Sequence, residues 1–434
     1  MLLIKGGRVI DPSCGRDEAG CLVIEGGKIE EYIPGEMGPE KFPGVVIDAR
    51  GRWVVPGLVD MHVHLRDPGY EWKEDIASGT RAAAAGGFTA VACMANTKPV
   101  NDHPEVTRYV REKASAVGAA RVYPVAALTR GLEGVEMADY AELLEAGAVA
   151  FSDDGKPVRS ALLMRRALEY VSSFNAPILV HAEEPELSHE GAAHEGWTAL
   201  RLGIPGIPAA AEEIVIARDI LLARQTGGRV HFQHVSTKTG VDLVRMAKRS
   251  GLRITCETAP HYFTLTDAAL EGYDTNAKMN PPLRDEEDRA AVLEGIVDGT
   301  IDAIATDHAP HDDYVKRCEF VAAANGIIGL ETALPLSLAL LSAGDMTPLR
   351  VVDLLSTAPA RILGLDGKGT LAKGVAADVT LIDPDAEWEF RADEIRSKSK
   401  NSPFLGWKLR GRAVAVLCGG RITHSLLPGT AVNV

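Results

Sequence analysis

From residue 57 to about residue 365, short apolar runs alternate with stretches rich in Ala, Glu, Arg and Leu, a pattern that predicts strands each followed by a covering helix. Eight such runs end near His64, Met94, Ala126, Ser152, His181, His234, Thr258 and Asp307, with helices such as 212–225 and 241–250 between them. Eight βα units predict an α/β fold of the (β/α)8 TIM barrel type. The span exceeds the roughly 250 residues usual for that fold, so insertions are expected at 183–211 and 308–330.

The chain ends have a different texture. Strand-like runs at Leu2-Leu3-Ile4, Cys21 to Ile24 and Val45-Val46-Ile47 are broken by Gly pairs at 6/7 and 26/27. The runs 377–382 and 413–417, with Gly419-Gly420, repeat that pattern at the other end. Residues 1–56 plus 366–434 are therefore expected to build one small β-sandwich domain beside a barrel at 57–365.

Strand alternation says which side chains face the barrel axis. In Asp60-Met61-His62-Val63-His64-Leu65-Arg66 it puts His62, His64 and Arg66 on one face, with Met61, Val63 and Leu65 opposite. In Ala148 to Asp154 it turns Ala150, Ser152 and Asp154 inward, so Asp154 rather than Asp153 is the inward carboxylate. In Ala303 to Asp307 the small residues share parity with Asp307, which also points inward. Regular strands to the last residue are assumed; a bulge would upset the parity.

Composition narrows the function. The 434 residues carry a net charge of −14 and no Lys/Arg cluster, which excludes nucleic acid and anionic membrane as partners and leaves a small substrate met by locally placed cations. Six scattered Cys without C-x-x-C spacing suggest neither a disulfide framework nor a thiolate metal site. No apolar stretch approaches the ~20 residues of a membrane helix and no signal peptide is evident, so a cytoplasmic protein is expected.

Barrel chemistry sits at the C-terminal ends of the strands. There the sequence places His62 and His64 (strand 1), Asp154 (strand 4), His181 (strand 5), His234 (strand 6) and Asp307 (strand 8). Imidazole and carboxylate suit Zn2+, and six donors exceed what one tetrahedral ion uses, so two ions are expected, with Asp154 the best-placed bridge. Of the remaining histidines, His103, His189, His194 and His424 are expected at the surface, and His231 has outward parity. In Asp307-His308-Ala309-Pro310-His311 the chain turns over the barrel mouth, making His311 a candidate substrate ligand and His308 a packing or supporting residue.

Five stretches make the chain resemble the amidohydrolase superfamily, and within it the class I dihydroorotase family: Pro56 to Gly69, Met94-Ala95-Asn96-Thr97, Phe151-Ser152-Asp153-Asp154-Gly155, Met279 to Arg284, and Ala305 to His311. The tail Lys400-Asn401-Ser402-Pro403-Phe404-Leu405-Gly406-Trp407 also resembles that family's end. The resemblance implies that His62 and His64 hold one zinc and His181 and His234 a second, with Asp154 between them. Asp307 would bind the first ion and act as general base and acid. Arg66, Asn96 and His311 would hold a substrate carboxylate, Asn280 would add a contact, and the backbone at Asn325-Gly326 would touch the ring.

The implied reaction is the reversible cyclisation of N-carbamoyl-L-aspartate to dihydroorotate. Related hydantoinases and allantoinases bridge their metals with a carboxylated lysine where this chain has Asp154, and Lys156 reads as a loop residue. Asn325 departs from the family's usual aromatic residue. A hydantoinase or allantoinase, or a non-catalytic partner of aspartate transcarbamoylase, are the rival readings; the intact donor set and the pairing of Arg66 with Asn96 speak against them. Self-association, and association with aspartate transcarbamoylase beside catalysis, are left open.

Overall fold

Eight parallel strands form the central ring: β1 (Leu58–Val63), β2 (Phe88–Cys93), β3 (Arg121–Ala126), β4 (Ala150–Phe151), β5 (Pro177–Val180), β6 (Arg229–Phe232), β7 (Ile254–Thr258) and β8 (Ala303–Ile304), hydrogen-bonded in chain order. The structure, a computed structural model, describes residues 1–35, 42–343, 346–430 and 432. The ring closes beyond β8, where the His64 N–H donates to the His308 carbonyl at 2.9 Å and Val63 pairs with His308. Helices Ala210–Thr226 and Lys238–Arg249 lie where the periodicity puts them. Thr237 starts the second by accepting the Gly240 N–H, which satisfies a donor that the helix itself leaves free.

Two apolar layers separate the inside of the ring from its outside. Val59, Met61, Ala90, Ala92, Val125, Ala150, Leu179, Ala303 and Ala305 belong to an inner cluster. Val63, Val91, Phe151, Ile178, Phe232 and Ile304 instead join the layer that includes the helix residues Met164, Val215 and Val244. The alternation expected for β4 and β8 is therefore present, with Ala150, Ala303 and Ala305 inside and Phe151 and Ile304 outside.

In β1 the alternation breaks. Asp60 pairs with Val91 and Val63 with Cys93, so three steps on β1 answer two on β2, a bulge with one extra residue. The Asp60 carboxylate accepts the backbone N–H groups of His62 and Thr306, each at 3.1 Å, and so fixes the bulge from within. Met61 therefore faces the inner cluster, not the helices as the alternation predicts, and His62 follows it inward.

Two more expectations need correction. His231 lies between the outward Val230 and Phe232, is fully buried, and reaches Glu257 at 3.2 Å, so it points into the ring. His194 is also buried, against the Arg284 guanidinium at 3.2 Å, because the 183–211 insertion packs back onto the barrel rather than lying in solvent. His103 and His189 are exposed, and His424 is half-buried.

The terminal segments form a second sheet of eight strands. Its path runs Arg421–Ser425, Lys408–Cys418, Val379–Glu389, Trp53–Pro56, Leu2–Asp11, Arg16–Glu25, Lys28–Pro34, with Val45–Asp48 also paired to Leu2–Asp11. Both chain ends meet where Val379 to Ile382 pair with Trp53 to Pro56. Ile29 and Ile422, from opposite ends of that path, share one apolar cluster, so the sheet curls onto itself around its own core. Among the described residues no helix is long and apolar enough to cross a membrane.

Candidate metal centre

All six expected metal donors converge at the C-terminal mouth of the ring. His62, His64 and Asp154 form one group of donor atoms and Asp154, His181 and His234 a second, each within 4.8 Å and buried, with Asp154 common to both. His62 Nε2 stands 3.5 Å from Asp154 and 3.4 Å from Asp307; His64 Nε2 stands 3.4 Å and 3.1 Å from the same two carboxylates. Across the site, His181 Nδ1 and His234 Nε2 lie 3.6 and 3.8 Å from Asp154 Oδ1, and 2.8 Å from each other.

Backbone geometry re-aims two of these side chains where the strands end. His234 and Asp307 have φ of 36° and 44°, and Arg66 of 61°, in the left-handed region that non-glycine residues rarely adopt. Arg66 thus reaches the site by leaving the strand, not by continuing its alternation.

The outer partners of the imidazoles decide which nitrogen is offered inward. Carboxylates only accept, so the His62 Nδ1–H donates to Glu257 at 2.9 Å and the His181 Nε2–H to Glu183 at 2.8 Å. The His64 Nδ1–H donates to Asn96 Oδ1 at 2.9 Å. Each ring can then offer its other nitrogen to a cation. Burial works against protonation of His62 and His181, yet the surrounding carboxylates raise both above the usual imidazole range, so a bound cation would take the place of those protons. His62 Nε2 is buried without a hydrogen-bond partner while facing two carboxylates, as a nitrogen reserved for a cation would be.

Burial works against ionisation at Asp154 and Asp307, yet the facing His62, His64 and His234 hold both carboxyls below their usual range. Glu257 is likewise buried, but hydrogen bonds from His231 and His62 lower it to about 2. The site is therefore a cluster of carboxylates facing imidazole nitrogens, and a dication taking the place of the imidazole protons matches it in donor type and in charge.

Arg66, Asn96, Asn280, His311, Asn325 and Gly326 all line one cavity of about 230 Å3 above these donors. The cavity opens at the barrel mouth, with Asn325 exposed at its rim. Asn280 donates to Glu183 at 2.9 Å. His308 stays beneath, its Nδ1 accepting the Gly329 N–H and its Nε2 3.5 Å from Glu74. Lys156 is exposed and outside the donor set.

Arg66 and His311 both line the cavity, and Arg66 Nη2 and Lys73 Nζ each lie 3.4 Å from opposite nitrogens of His311. Burial and the charges of Arg66 and Lys73 push His311 down to about 2, so the ring is neutral. A neutral imidazole has one acceptor, so it cannot accept from both cations. Among the described residues neither cation has a carboxylate within ion-pair distance.

Sequence reasoning missed four members of this site: Glu257, Glu183, Lys73 and Gln233, which accepts from Ser152 Oγ at 3.0 Å. Glu183 and Glu257 carried a usable signal, since each is a carboxylate at a strand end and a ligating His usually donates to one.

Fold and site together define a metal-dependent hydrolase of the cyclic-amide type within the amidohydrolase superfamily. The fold is similar to an L-hydantoinase (dihydropyrimidinase) from Arthrobacter aurescens, with a TM-score of 0.88, 25% identity, and coverage of 100% of this chain and 97% of that one. It is also similar to a D-hydantoinase (dihydropyrimidinase) from Thermus sp., with a TM-score of 0.80, 24% identity, and coverage of 98% and 95%. A family model described as dihydro-orotase-like matches residues 51–240. Dihydroorotases from Pelobacter propionicus and Desulfotalea psychrophila are each 55% identical over 424 residues, 98% of this chain and 99% of theirs. The chain belongs to the dihydroorotase family.

Proposed function

We propose that the protein is the dihydroorotase of pyrimidine biosynthesis, interconverting N-carbamoyl-L-aspartate and dihydroorotate in the cytoplasm. The observation that carries this reading is Arg66 and His311 on the wall of the donor cavity, with Lys73 3.4 Å from His311. They offer hydrogen-bond donors with no carboxylate in ion-pair distance among the described residues, and a substrate carboxylate would complete them. Arg66 suits that role because its planar fork can grip both carboxylate oxygens.

Two zinc ions are the proposed occupants, one on His62, His64 and Asp307, one on His181 and His234, with Asp154 shared. Such ions, when bound, polarise the ring carbonyl and activate water. The protein's own residues do the rest. In hydrolysis water adds to the ring carbonyl carbon, the ring C–N bond breaks, and the water's proton must reach the departing nitrogen. Asp307, which lies 3.1 Å from His64 and lines the cavity, would take that proton and return it. Cyclisation runs the same transfers backwards, with Asp307 first removing the proton from the ureido nitrogen.

The test is an assay of purified, zinc-supplemented protein on dihydroorotate, hydantoin, dihydrouracil and allantoin in parallel. Turnover concentrated on dihydroorotate is expected; preference for a ring without a carboxylate would overturn the reading.

A further inference from the structure

The tail segment 400–404 does not belong to the small sheet; it runs across the barrel mouth. Asn401 is buried there and spends its whole side-chain amide on the substrate cavity's wall. Its Oδ1 accepts the His311 N–H at 3.0 Å, and its Nδ2 donates to the carbonyls of Ala309 at 3.0 Å and Gly326 at 2.9 Å. Its own carbonyl accepts the Ile328 N–H at 3.0 Å. One side chain thus joins the outgoing limb of the loop after β8, which carries His311, to the returning limb, which carries Gly326.

Gly326 shows how close that approach is. At φ +149° a Cβ on Gly326 would stand 2.6 Å from the Ala309 carbonyl and 2.8 Å from the His311 ring. The returning limb is also held from within the loop by Lys316 and from the segment ahead of β8 by Lys278. Buried Lys316 donates through Nζ to the carbonyls of Ala324 at 2.9 Å and Gly326 at 3.1 Å, and Lys278 to those of Val321 and Ala323 at 2.7 and 2.8 Å. The two limbs also meet directly, the Ala309 N–H donating to the Ile327 carbonyl at 2.9 Å and the Ala324 N–H to the Val315 carbonyl at 3.0 Å. Asn401 adds a brace from outside the loop that takes both the His311 N–H and the Gly326 carbonyl.

We propose that Asn401 is a positioning residue for substrate: it sets the separation between His311 and the backbone at Gly326, so that a segment from outside the barrel completes the substrate cavity. The proposal rests on the reading of His311 and Asn325-Gly326 as substrate contacts. Asn401 touches none of the six metal donors, so its loss acts on binding and leaves the metal in place.

Kinetics and metal content of Asn401→Ala provide the test. KM for dihydroorotate is expected to rise by about tenfold or more, the scale of lost buried hydrogen bonds, with kcat within about threefold and bound metal unchanged. Asn401→Ser, which keeps one hydroxyl, should give an intermediate KM and carries the test if the alanine variant does not fold. An unchanged KM, or a joint fall of kcat and metal content, overturns the proposal. His311→Ala separates it from the reading beneath it. A normal KM in that variant sinks the substrate-contact assignment, whereas a raised KM there with normal Asn401 variants sinks the positioning role alone.

Discussion

Glu257 accepts the Nδ1–H of His62 at 2.9 Å and thereby turns the opposite nitrogen of that ring toward Asp154 and Asp307. The second oxygen of Glu257 meets His231 at 3.2 Å, and His231 in turn meets Thr255 Oγ1 at 2.8 Å. A line of buried polar groups thus runs from the barrel interior up to the first metal triad, and its charge and direction are set before any ion arrives.

Glu257→Gln should keep the shape of this line and remove its charge. Bound metal at the His62 triad is expected to weaken by about 10- to 100-fold, read by metal competition with a chromogenic chelator. An unaltered affinity would mean that Glu257 only packs.

Asp307→Asn should retain the His181 and His234 metal and fold normally, yet lose turnover by about 100-fold or more in both directions, because the amide cannot take up the proton. Elemental analysis beside steady-state kinetics checks this. Near-normal kcat would assign the proton transfer elsewhere.

Arg66→Ala removes the forked half of the carboxylate grip. KM for dihydroorotate is expected to rise by about 100-fold, more than kcat falls, at about 1.4 kcal/mol per tenfold. An unchanged KM would point to a substrate without a carboxylate.

A pH effect is expected far from the metal. Glu331 accepts the N–H groups of Arg396 at 2.8 Å and Ser397 at 3.3 Å, and burial raises its carboxyl to about 7. An acid whose pKa is raised by folding costs stability as pH climbs from its unfolded value through its folded one, and the full cost stands above about 7. Glu331→Gln should therefore raise stability by about 1–3 kcal/mol at pH 8, with the gain vanishing toward pH 4. Thermal melts of both proteins across that range decide it; a gain independent of pH would refute the ionic origin.

How much of this was legible in the sequence follows from what alternation can and cannot carry. Ala303, Ile304 and Ala305 alternate as written, and small residues on one parity with a bulky one on the other marked the inner wall of β8. The same rule misplaced Met61, because the extra residue of the β1 bulge leaves no periodic trace and is held by a long-range bond from Asp60 to Thr306. His231 was misread because its parity was set by an inward His234, which lies beyond the end of β6 at Phe232 and is aimed by a φ of 36° rather than by strand alternation. The six donors stood out because chemistry and strand ends coincide there; Lys73 did not, since its role comes from a loop folding back to meet His311.

The pairing of Trp53 to Pro56 with Val379 to Ile382 has a temporal side. A ribosome that has reached residue 311 has already made all six metal donors, but neither the strand that covers Trp53 nor the asparagine that braces the mouth. During synthesis the donor cluster exists well before the enclosure around it, and a chain stopped short of its last tenth would carry the ligands of an enzyme without its finished doorway.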